Sequence, residues 1–114
     1  MNGSELVIAM TTFSRQAAAT QMAQRVIRAR AAACAQVEGP IESYYHWNAE
    51  EHHDTEWRLT MKTTAAAETK LRQLVHKHHP YELPQWSVVA LLTSTEAYAN
   101  WVRSTVAETG LDAD

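Results

Sequence analysis

The chain has 114 residues, of which 46% are hydrophobic and 20% charged, and carries a formal net charge of -3. That length suits one core rather than two, and the apolar share is too high for a disordered chain. The weak negative charge offers no general pull towards nucleic acid or anionic membranes, and apolar runs such as 6–10 and 88–92 fall far short of a bilayer span.

The N-terminus, Met1-Asn2-Gly3-Ser4-Glu5, has neither a positive region nor a long apolar stretch, so no signal peptide is expected. Cys34 is the only cysteine and has no partner within the chain, which points to a reducing, cytoplasmic setting. Residues 6–10 form a short continuous apolar run and predict a buried strand. Ser14 is placed to cap a helix running from residue 15 to about residue 33, rich in Ala, Gln and Arg. Ala18, Met22, Val26, Ala29 and Ala33 recur at helical steps and mark its buried face.

Gly39-Pro40 predicts a bend or strand start. From Ile41 to Trp47 apolar and polar residues alternate, as in a strand; 48–55 is polar and predicts a solvated turn; alternation resumes from Glu56. Thr64 is placed to cap a second helix with Leu71, Leu74, Val75 and His78 on one stripe, and Pro80 stops it. Residues 86–93 predict a fourth strand. Thr93 to Glu96 form a capping box before a last helix with Tyr98, Trp101, Val102 and Thr105 on one face. Residues 1–4 and 110–114 are expected to fray. The order is β-α-β, β-α-β and a helix, so the fold class is α/β (α+β), a single ferredoxin-like domain with an antiparallel sheet and both long helices on one face.

Several motifs line up in order: Ala32-Ala33-Cys34; Gly39-Pro40-Ile41-Glu42-Ser43-Tyr44-Tyr45-His46-Trp47; Glu56 through Lys62-Thr63-Thr64; His78-His79-Pro80-Tyr81-Glu82-Leu83-Pro84; and Tyr98 with Trp101. The set resembles the CutA family of divalent-cation tolerance proteins across residues 6–105. The resemblance implies a ferredoxin-like fold, a tightly packed homotrimer and a link to tolerance of copper and other divalent cations. It also implies a likeness to the nitrogen-signalling PII proteins, which hold small effectors between subunits. The sequence departs from the family pattern at Met10, where some members place a metal-binding cysteine, at Gln85, where an acidic residue is common, and at Ala49, where glycine is frequent. His78 and His79 are therefore the expected metal ligands, with Met10 as a third donor; a thioether favours Cu(I), whereas imidazole suits Cu(II).

The competing structural roles are plain. His76, His78 and His79 could equally bond the last carbonyls of the helix. His52, His53 and the acids around them fit a solvated turn. No Cys-x-x-Cys, His-Glu-x-x-His or calcium-loop pattern is present, and no nucleophile stands with a base, so enzymatic catalysis is not expected. Cys34, between small neighbours at the helix end, is expected to be buried and unreactive. Four tryptophans are many for one small sheet and suggest packing between subunits. The functional expectation is a homotrimeric, metal-responsive binding protein with any metal or small ligand in a cleft between subunits, and with no nucleic-acid or membrane partner. A PII-like small-molecule sensor and a non-catalytic scaffold are the alternatives.

Overall fold

In the computed structural model, which describes residues 5–107, a four-stranded sheet has helices on both faces. The elements are β1 (Leu6–Phe13), α1 (Gln16–Arg28), β2 (Cys34–Trp47), β3 (Glu50–Thr64), α2 (Glu68–His78), β4 (Ser87–Ala90) and α3 (Glu96–Val106). The strand order is β2-β3-β1-β4 and all neighbours are antiparallel. Each β-α-β unit straddles a strand of the other, which is the expected ferredoxin-like arrangement with an added C-terminal helix. The frayed ends expected at 1–4 and 110–114 lie outside the described residues. Among the described residues no helix is long and apolar enough to cross a membrane.

β1 reads as an unbroken apolar run because both of its faces are covered. Ala9 and Phe13 join Leu59 and Met61 of β3 against Met22 and Val26 of α1 and Leu71 and Val75 of α2. Leu6, on the opposite face by strand alternation, packs with Ala99 and Val102 of α3. Burial of a side chain the size of Phe13 is worth about 1.5–3 kcal/mol relative to exposure.

α1 is shorter at both ends than composition suggests. Arg15, not Ser14, is the N-cap and makes no side-chain capping bond. At the other end Arg30 takes a left-handed φ of 57°. Its N–H donates to the Ile27 carbonyl at 3.0 Å and that of Ala31 to Val26 at 3.0 Å. These two bonds are a Schellman motif, closed here without glycine, and they stop a run of alanines that propensity alone would continue. Ala31 and Ala32 then enter the core, while the Ala31 carbonyl accepts from Thr63 Oγ1 at 2.8 Å. Cys34 consequently opens β2 instead of ending a helix, and is partly exposed rather than buried.

The largest departure is the hairpin. Asn48 and Ala49 both have positive φ, 54° and 63°, the pattern of a two-residue type I′ turn. The solvated turn expected at 48–55 is therefore only two residues long, and β3 already begins at Glu50. β2 likewise starts seven residues before Ile41 and passes through Gly39-Pro40, with a register shift between Glu38 and Ile41. Gly39 is required by proximity: a Cβ there would lie 2.5 Å from Cδ1 of the Trp57 ring.

Smaller shifts follow the same logic. Thr64 Oγ1 accepts from the Ala67 N–H at 3.2 Å, closing a turn just before α2, whose N-cap is Ala67. β4 covers only part of 86–93. α3 is capped by Thr95, which accepts from the Tyr98 N–H at 3.4 Å, rather than by a box starting at Thr93. Trp57 and Trp86 pack against the core, whereas Trp47 and Trp101 remain 38% and 46% exposed.

Candidate functional site

α2 ends at His78, and the next residue is extended at ψ 135°, as a residue before proline prefers. This change of direction separates the two adjacent histidines. His78 is exposed on the last turn, and its ring makes no contact with a partner among the described residues. His79 turns back onto the end of β1 and stacks on Phe13 with ring centroids 4.3 Å apart. Its Nδ1 accepts from the Tyr81 N–H at 3.1 Å. The proton therefore sits on Nε2, which donates to the Thr12 carbonyl at 3.0 Å and lies 3.1 Å from Thr11 Oγ1. Burial pushes the His79 pKa down, only partly opposed by the Thr12 carbonyl. Both ring nitrogens are thus committed within the chain, and a metal could reach His79 only by displacing one of these bonds.

The three expected metal donors occupy different places. His78 is exposed at the end of α2. His79 lies on the face of β1 that carries Thr11 and Phe13, while Met10 alternates to the other face. Among the described residues no group of three or more His, Cys, Asp or Glu side chains is placed to hold a metal ion. His52 and His53 lie within β3, not in a turn. They stack across the hairpin on Tyr45 and Tyr44, at 5.4 and 4.2 Å between centroids.

What does converge is a polar network absent from the sequence reading. Glu56 accepts from Ser43 Oγ at 2.7 Å through one oxygen and from the Tyr81 hydroxyl at 2.6 Å through the other. Beside it the Tyr45 hydroxyl donates to Asp54. Burial first, and then the bond to Glu56, push the Tyr81 pKa far up; the Asp54 bond raises that of Tyr45. Both phenols are held as protonated donors, unsuited to act as bases. The pairings follow from the register. Ser43 faces Asp54 and Tyr45 faces His52, so Glu56 and Asp54 are their diagonal neighbours two residues along β3.

Around this network opens a cleft of about 930 Å³ between the outer hairpin, the end of β1 and the loop at 80–85. Gln85, at the position where an acid was expected, is on its wall. Glu56 and Tyr81 belong to ordered motifs in the sequence, but their meeting depends on the 80–85 loop folding back beside β3, where His79 stacks on Phe13 of β1.

A family model described as "CutA1 divalent ion tolerance protein" matches residues 7–105. The divalent-cation tolerance protein CutA of Thermus thermophilus is 32% identical over 99 residues, covering 87% of this chain and 95% of that one. The solved CutA structure from Synechococcus elongatus superposes with a TM-score of 0.85 at 34% identity, over 93% of this chain and 94% of that one. A CutA structure from Archaeoglobus fulgidus, described as a periplasmic protein, shares the fold with a TM-score of 0.85 at 23% identity, over 89% of this chain and 98% of that one.

Proposed function

As the chain belongs to the CutA1 divalent ion tolerance family, we propose that it is a non-catalytic homotrimer that responds to divalent cations, copper among them, and that its outer hairpin is the joint between subunits. The observation that carries the assembly is the bareness of that hairpin. Residues 41–47 of β2 and 50–56 of β3 pair only with each other, beyond the reach of β1, which ends opposite Trp57. Tyr44, Tyr45 and Trp47 are 69%, 42% and 38% exposed there. A lone two-stranded ribbon is marginal in water, and long free edges invite pairing. β4, at the other side of the sheet, offers a second free edge with Val88 and Val89 exposed. Three copies around a threefold axis let each ribbon cover a neighbour and close the ring.

The metal part of the reading rests on family membership and on His78, whose imidazole is free to ligate. His79 serves first as the latch of the 80–85 loop, so additional donors come from outside this pair. A cytoplasmic setting is proposed from the lone cysteine, which needs no oxidising compartment. The test has two arms. Light scattering of metal-free protein is expected to give three times the 12.8 kDa chain mass; a monomer or dimer would sink the assembly. Copper titration is expected to weaken in His78→Ala and to persist in His76→Ala; equal losses would mark adventitious surface binding.

A further inference from the structure

The cleft beside the hairpin has a chemistry of its own, separate from metal tolerance. At about 930 Å³ it is in the range of small-molecule sites. Three aromatic rings line it, those of Tyr45, Trp47 and Tyr81, together with three carboxylates, those of Asp54, Glu56 and Glu82. No Lys, Arg or His side chain is part of the wall. None of the three carboxylates has an ion-pair partner among the described residues, whereas Glu38, Glu42 and Glu68 elsewhere each face a basic group.

The polar groups are also partly spent in an informative way. The hydroxyls of Tyr45 and Tyr81 are already donated to carboxylates, so these side chains present ring surface rather than donors. Glu56 is fixed in place by two bonds and still keeps its charge and two of its roughly four acceptor positions. An anion would meet three uncompensated negative charges. A neutral ligand would leave them unanswered. A bare divalent ion is held best by several converging ligating side chains, and among the described residues no group of three or more His, Cys, Asp or Glu side chains is placed to hold one.

We infer that this cleft binds a small organic cation bearing an ammonium or guanidinium group, held over the aromatic rings and hydrogen-bonded to the free carboxylate positions. Rings supply cation–π attraction and the acids supply charge-assisted hydrogen bonds, and a positively charged donor satisfies both at once. The inference requires no bound metal, but because Tyr45 and Trp47 also belong to the ribbon proposed as the joint between subunits, it rests on an assembly that leaves this cleft open.

Calorimetric titration of the full, chelator-treated chain with benzylammonium, benzyl alcohol and benzoate tests it, because the three probes share a shape and differ in charge. Benzylammonium is expected to bind about tenfold or more tighter than benzyl alcohol, with an affinity that falls as salt rises, and benzoate is expected not to bind. The paired change Asp54→Asn with Glu82→Gln is expected to weaken benzylammonium about tenfold and leave benzyl alcohol unaltered. Glu51→Gln, on the same hairpin but off the cleft wall, should leave both unaltered. Equal affinities for the charged and neutral probes would overturn the inference, as would absence of benzylammonium binding. So would a fall in the native particle mass at saturating benzylammonium, which would assign the cleft to a cationic side chain of a neighbouring copy.

Discussion

From Arg58 to Lys62, β3 runs between β1 and β2, with Leu59 and Met61 fully buried under the helices. From Glu50 to Glu56 the same strand has β2 alone beside it, and no residue is buried. One half is stabilised by apolar area removed from water. The other has its ladder, the polar contacts of Ser43, Tyr45 and His53 with Glu56, Asp54 and Glu42, and the cross-strand stacks of Tyr44 with His53 and Tyr45 with His52. The inner half completes the monomer core, and the outer half is the part that the proposed assembly would cover.

The contrast is sharpest in the core. Leu59→Ala removes a fully buried side chain and is expected to cost about 3 kcal/mol, read by denaturant unfolding. A loss under about 1 kcal/mol would mean that the inner half does not anchor the sheet. At the hairpin tip the sign reverses. Ala49 holds a φ of 63°, which an L-residue with a Cβ adopts at a cost. Ala49→Gly is expected to stabilise by about 0.5–1 kcal/mol, the relief of strain exceeding the added chain entropy. Destabilisation would contradict the type I′ turn.

The smallest expected effect concerns the hinge between the two regions, where His79 ties the loop at 80–85 to β1. Its pKa lies below the ordinary 6.5 because burial disfavours the imidazolium. In an acid solution the unfolded chain therefore takes up this proton before the folded one does. The contribution is fully present above the unfolded value and is lost as pH falls through the lowered folded value. His79→Asn should flatten the decline in stability as pH falls below the ordinary histidine value of 6.5, relative to the parent. An unchanged slope would show that the latch does not titrate with folding.

Much of this division was legible in the sequence, and what was not has local causes. The order of elements, the doubly covered β1 and the stop at Pro80 all follow from apolar periodicity and proline chemistry. The end of α1 was hidden because its stop is built on Arg30 in a left-handed conformation, where glycine would have announced it. The hairpin turn was hidden because Asn48-Ala49 also lacks glycine and is followed by polar residues that are in fact strand. Polar residues on both faces of a ribbon look like a loop when no core imposes alternation. At the site, His78 and His79 were recognised together, but adjacency in sequence could not reveal that the helix ends between them. The Ser43–Glu56–Tyr81 network joins three separate segments and depends on a register that no single segment specifies.

Amide hydrogen exchange along β3 of the native protein, at micromolar concentration, tests most directly whether the outer hairpin is held by another copy. The account predicts that amides at 51–55 are protected nearly as well as those at 59–63, and that this extra protection disappears when the assembly is diluted apart. Rapid exchange at 51–55 beside full protection at 59–63, at every concentration, would contradict it.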